Sequence, residues 1–75
     1  MRELVETIAK ALVDSPDQVV VTEKKSDKGI LITLTVAKED IGKVIGKQGR
    51  VANAIRAVVR AASMRDGVHV MVDIE

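Results

Sequence analysis

The 75-residue chain has no cysteine, no phenylalanine, tyrosine or tryptophan, one proline and one histidine. Without cysteine there is neither a disulfide framework nor a thiolate metal site. With His69 as the only imidazole, a zinc site would have to lean on carboxylates, so no metal and no cofactor is expected. The lack of aromatic rings excludes folds that stack bases on aromatic platforms. There is no long apolar run either. Residues 30–37 form the most apolar stretch, which includes two threonines and is far too short to cross a bilayer. Acidic residues come early in the N-terminal segment, against a secretory signal, so the cytoplasm is the expected location.

Seventy-five residues suffice for one domain, expected to span 1–75. At that size little surface is buried, and oligomerisation stays open as a stabilising route. The formal net charge of +1 conceals an uneven distribution: residues 38–60 sum to +4, residues 1–37 to −1 and residues 61–75 to −2. A basic segment on a neutral body suits a confined polyanion site, and a solvated helix face would produce the same pattern.

Periodicity predicts the elements. Residues 2–13 read as an amphipathic helix, with Leu4, Val5, Ile8, Ala9, Leu12 and Val13 on one face. Pro16 ends it by disfavouring helical geometry in the residue before it. Residues 18–25 are rich in β-branched side chains, and residues 30–36 alternate with Ile30, Ile32, Leu34 and Val36 on one face. Ser26-Asp27-Lys28-Gly29 is turn chemistry, which predicts a hairpin. Residues 38–45 suit a short helix with Ile41, Val44 and Ile45 inward, and Gly42 within it signals a close neighbour. A further helix is expected over residues 50–63. After a turn at Asp66-Gly67, a strand follows over residues 68–74, with His69, Met71 and Asp73 opposite the valines. The order αββααβ predicts an α+β fold, a three-stranded mixed sheet with three helices packed on one face.

The most informative stretch is Gly46-Lys47-Gln48-Gly49 between two helices. Its glycines permit a tight reversal and let a sugar-phosphate backbone approach the main chain. The helix that starts there turns unpaired N–H groups and about half a positive charge toward a ligand. Lys47 and Arg50 can neutralise phosphates. A plain helix–turn–helix corner would use the same glycines as a cap and a turn residue. Val44-Ile45-Gly46-Lys47-Gln48-Gly49, in the αββααβ order, resembles the signature of KH domains of the type II, bacterial arrangement. Length is similar to that of the small single-KH proteins of the KhpA (YlqC) family.

That resemblance implies single-stranded RNA binding, with the loop clamping about four backbone nucleotides. It implies a phosphate grip by Gly46, Lys47, Gln48 and Gly49, a groove wall from Ile41, Gly42, Val44 and Ile45 with Lys43 among the RNA-binding residues, and Arg50 across the loop. It also implies a variable loop with Lys24, Lys25 and Lys28 as further RNA contacts. A homodimer, or a heterodimer with a larger KH protein of the KhpB (Jag) kind, is implied as well. The expected role is a bacterial post-transcriptional regulator or RNA chaperone, and the alternative is a docking module that recruits the larger partner. Ala52 departs from the pattern, since many KH domains carry a large aliphatic residue there.

Other sites are disfavoured. A P-loop needs four residues between its glycines and a hydroxyl after the lysine; Gly42 and Gly46 are separated by three, and Gln48 takes the hydroxyl position. No nucleophile pattern accompanies His69, and Glu39-Asp40 reads as helix N-terminal charge, so no enzyme is expected. On the helix over 50–63, Val51, Ala52, Ile55, Val58, Val59 and Ala62 form the expected core stripe, and Arg50, Asn53, Arg56, Arg60 and Ser63 the polar side. Ala54, Ala57 and Ala61 make a separate strip of small residues. On the residues alone it is either helix propensity or a surface where another helix comes close, and the family resemblance implies a symmetric dimer through it.

Overall fold

The alternating aliphatic residues of Gly29–Thr35 make that strand, β2, the centre of the sheet, with Ile32 and Leu34 fully buried. In this computed structural model, which describes residues 1–65 and 67–75, β2 pairs antiparallel with β1 (Val20–Ser26) and parallel with β3 (Val70–Ile74). The sheet is therefore mixed, in the order β1-β2-β3. The β1–β2 hairpin pairs Ser26 with Gly29 around Asp27-Lys28. Ser26 Oγ accepts the Lys28 N–H at 3.3 Å, a local bond typical of serine in turns. Gly29 is required by a close approach, because a Cβ there would stand 2.3 Å from the carbonyl oxygen of His69.

Three helices cover one face, as expected. α1 (Arg2–Leu12) lies on β1 and β2, burying Val5 and Ala9. α2 (Ile41–Ile45) and α3 (Arg50–Met64) pack on each other, and both reach β3. Val44, Ile55 and Val59 join Ile32, Leu34 and Val5 in the core. On the other face of the sheet Thr22, Lys24, Thr35, Met71 and Asp73 are exposed.

Several expectations need correction. The segment over 38–45 is a tight single turn at Lys38–Asp40 that leads into α2. Nothing lies within 4 Å of a Cβ at Gly42, so this glycine borders open space, not a close neighbour. Val58 is 45% exposed and Ser63 is buried, which exchanges their expected places on α3. Ser63 is tolerated inside because its hydroxyl donates to the Arg60 carbonyl at 2.9 Å. Val68 and His69 precede β3 and are exposed. Asp66, half of the expected turn, lies outside the described residues.

β3 is an edge strand. The bonds Ile30 N–H to His69 C=O and Glu75 N–H to Leu34 C=O fix the parallel ladder. His69, Met71, Asp73 and Glu75 thus turn their backbone groups to β2, and Val70, Val72 and Ile74 turn theirs outward.

Asp40 is the one buried charged side chain among the described residues. It does not cap its own helix. Its carboxylate accepts the N–H groups of Asp14 at 3.3 Å and Ser15 at 3.1 Å, which ties the end of α1 to the start of α2. Lys43 Nζ donates to the Asp14 carboxylate and, at 3.5 Å, to Asp40 Oδ1. Burial pushes the Asp40 carboxyl up, but the two N–H donors and Lys43 outweigh it and hold the group below its ordinary value. The hydrogen bond to Asp14 raises the Lys43 ammonium, against a smaller effect of burial.

A depressed carboxyl stabilises the fold above its unfolded pKa, and that contribution is lost as pH falls through the folded value; the raised lysine works oppositely, at the alkaline end. The melting temperature, followed by circular dichroism, should fall as the pH drops below about 5 and on through the ordinary carboxyl range. Asp40→Asn should melt lower at neutral pH and lose less over that acid interval.

Candidate functional site

The corner between α2 and α3 is built around Gly46. Its φ of 76° and ψ of 175° lie in a region open essentially to glycine alone. Space imposes the same choice, because a Cβ at Gly46 would stand 2.4 Å from Val51 Cγ2. The Gly46 N–H closes α2 on the Gly42 carbonyl at 2.9 Å. Lys47–Gly49 then make one tight turn, in which Gln48 (φ 58°) and Gly49 (φ 76°) are both left-handed. A left-handed glutamine costs conformational energy, which a folded chain tolerates mostly at functional sites.

α3 starts immediately after this turn with Gly49 at its N-cap and no side-chain cap. Its first N–H groups are thus left to the loop and to whatever the loop holds. Lys47, Gln48 and Arg50 are exposed. Among the described residues, neither Lys47 nor Arg50 has a carboxylate within ion-pair distance. Ile41 and Ile45 are half-buried beside exposed Gly42 and offer an aliphatic wall.

The structure brings residues 41–50 together as one continuous corner, but they differ in availability. Val44 is fully buried and supports the wall from behind. Lys43 is held by Asp14 and Asp40, so its charge is compensated inside the protein. No sequence signal linked Asp14 and Ser15 to Asp40, which stands 26 and 25 residues further on.

Lys24, Lys25 and Lys28 are not brought to this corner. All three are exposed on β1 and its hairpin, and Lys25 lies 3.9 Å from Glu23. The hairpin adjoins the start of β3, where the C-terminal end of α3 also arrives, through Val68 N–H to Ser63 C=O at 3.2 Å. The length of α3, about 20 Å, separates that end from the loop.

α3 turns Ala52, Ile55, Val59 and Ser63 into the core. Ala52, where the sequence departs from the pattern of many KH domains, is buried in the core. On the outward side Ala54, Ala57, Val58 and Ala61 are all exposed, an apolar strip bounded by Arg50 one turn before it and Arg65 one turn after it.

Gly46→Ala should destabilise the protein by at least about 1–3 kcal/mol, because strain at φ and the Val51 clash add. Gly49→Ala meets nothing within 4 Å, so it should cost only the left-handed strain, about 1 kcal/mol. Urea denaturation of the two variants reads the difference.

The sequence model of the family described as KhpA/KhpB, KH domain, matches residues 2–74. The chain is 54% identical to "RNA-binding protein KhpA" of Clostridium acetobutylicum, over 99% of both chains. It is 58% identical to the protein of that name from Caldanaerobacter subterraneus subsp. tengcongensis, again over 99% of both. A more distant relative of the same name, from Aquifex aeolicus, is 43% identical over 99% of this chain and 94% of the relative. No solved structure matches the chain significantly. A whole-length match, a mixed sheet under three helices and a glycine-bounded loop between the second and third of them agree: the chain belongs to the KhpA/KhpB family of KH domains, which is not an enzyme family.

Proposed function

We propose that this protein binds single-stranded RNA and grips its sugar-phosphate backbone with the Gly46–Gly49 loop. The observation that carries this reading is the loop itself. Two glycines, a left-handed Gln48 and a helix start without a side-chain cap let a phosphate approach the main chain and the positive end of α3, and Lys47 and Arg50 flank it without carboxylate partners. The relatives' name, RNA-binding protein, supports the same ligand. Ile41, Gly42 and Ile45 form the wall against which bases lie, over Val44. Lys43 stays with Asp14 and Asp40 and contributes position more than charge. Lys24, Lys25 and Lys28, beyond the far end of α3, serve only an RNA long enough to reach them.

Grip without aromatic stacking gives modest affinity and little base preference, the profile of an RNA chaperone or post-transcriptional regulator in the cytoplasm. A loop that holds about four phosphates gives a plot of log affinity against log salt with a slope of about −3. Lys47→Asp combined with Gln48→Asp should abolish binding and leave the fold intact, since both side chains are exposed. A flat salt response, or undiminished crosslinking of RNA to the double variant, would refute the grip.

A second reading, docking, is favoured by the outward face of α3. Ala54, Ala57 and Ala61 are small enough for another helix to approach closely, and exposed Val58 borders them. We infer a symmetric homodimer through this face, which a KH protein of the KhpB (Jag) kind can also occupy. Ala57→Glu should convert the dimer to a monomer in sedimentation equilibrium at unchanged helix content. A wild-type chain that sediments as a monomer at tens of micromolar would remove this reading.

A further inference from the structure

α3 contains no acidic residue, and the arginines along it divide between two sides. Arg56 is turned to the sheet edge, where its Nε donates to the outward-turned Val72 carbonyl at 3.3 Å, and Arg60 lies on that side too. Arg50 and Arg65 belong to the outward strip. At the pitch of an α-helix both fall within about 30° of the line through Ala54, Ala57, Val58 and Ala61. Arg65 keeps helical backbone angles (φ −63°, ψ −31°) at the end of α3, so the strip reaches it unbroken. Both side chains are exposed, and among the described residues neither has a carboxylate within ion-pair distance. The apolar strip is therefore closed at each end by a guanidinium, one of them beside the loop.

The centre of the strip, between Ala57 and Val58, is also midway from Arg50 to Arg65. A two-fold axis through that point, relating two antiparallel copies of α3, sets Ala57 against the partner's Val58 and Ala54 against the partner's Ala61. The same operation sets Arg50 against the partner's Arg65, at both ends of the contact. Antiparallel pairing is the arrangement that the charges favour, since parallel helices would crowd both loops, with their Lys47 and Arg50 side chains, at one end. Helix axes about 8 Å apart leave the two facing guanidinium groups within reach of each other. Like charges so placed repel, and α3 carries no acidic side chain to offset them.

We propose that a phosphate held at the Gly46–Gly49 loop is shared by Arg50 and the partner's Arg65, so that RNA and the second copy of the chain strengthen each other's binding. The inference rests on the loop grip and on the symmetric α3 pairing proposed above, and it joins them. Each guanidinium presents a planar fork that holds phosphate oxygens through charge-assisted bonds. A phosphate between two of them turns one repulsive contact into two attractive ones. The coupling is reciprocal: the factor by which RNA tightens the dimer is the factor by which the dimer tightens RNA. Within one chain Arg65 stands about 22 Å along the helix from Arg50, so the loop is reached by the partner's Arg65 and not by its own.

The test is sedimentation equilibrium of the full chain, alone and with saturating tetrauridylate, an RNA too short to tether both loops of a dimer. The chain has no aromatic ring, so uracil absorbance follows the RNA and interference optics follow the protein. RNA should lower the wild-type dimer dissociation constant about tenfold, within the usual range of coupling between two sites. Without RNA, that constant should also fall as potassium chloride is raised, because salt screens the facing arginines. Arg65→Gln should tighten the RNA-free dimer several-fold and leave it insensitive to tetrauridylate. Arg65→Glu should tighten the RNA-free dimer further, since Arg50 then faces a carboxylate, and tetrauridylate should loosen it.

A wild-type dissociation constant that is the same with and without tetrauridylate would overturn the proposal. So would an RNA-free Arg65→Gln dimer weaker than the wild type. Two other outcomes would overturn it by removing its ground, and they are told apart in the same runs. A wild-type chain that stays monomeric with RNA bound would refute the α3 pairing, and a wild-type dimer that takes up no tetrauridylate would refute the loop grip.

Discussion

The geometry of this protein depends on a missing methyl group. α2 reverses into α3 through the volume that a side chain at Gly46 would fill, and Val51 packs into that volume. Because the reversal is so tight, α3 starts beside the end of α2, and its positive N-terminal end, Lys47 and Arg50 meet at one corner. Ile41 and Ile45 then stand next to that corner as a wall. A wider turn would give the same helices and the same core, with the charges and the N–H groups apart.

The corner also needs an anchor, which Asp40 supplies by holding the end of α1 through two backbone N–H groups. The same cluster changes the electrostatic picture. Residues 38–60 carry a net +4 in sequence, but Lys43 faces two carboxylates, one of them from Asp14 outside that segment. The uncompensated charge of that segment lies on Lys38 before α2, on Lys47 and Arg50 at the loop and on Arg56 and Arg60 along α3. Sequence sums count charges; the fold decides which of them face solvent unopposed.

The elements with strong periodicity were legible. Alternation over residues 30–36 and the apolar stripe of residues 2–13 placed β2 and α1 within a residue or two of their observed ends. The loop was legible because glycine spacing between two helices leaves few other conformations. The failures share a cause. Val58 and Ser63 exchange places because a hundred-degree wheel does not say where on its rim the core lies, and a small hydroxyl can satisfy itself on the preceding turn. Gly42 faces open space, where propensity alone pointed to a neighbour. The Asp14–Asp40–Lys43 cluster joins segments about 26 residues apart, and no local pattern announces such a contact.

The open edge of β3 has a consequence for how this chain behaves among its own copies. Val70, Val72 and Ile74 turn backbone groups outward that no further strand pairs, on a strand rich in β-branched residues, the kind of border that recruits further strands and leads to aggregation. A guanidinium placed on the middle carbonyl, with Arg60 one turn away, puts positive charge where a second copy's edge would have to dock, and like charges would meet. The arginines of α3 thus act as gatekeepers of solubility, and a chain without them would be vulnerable along the border they now cover.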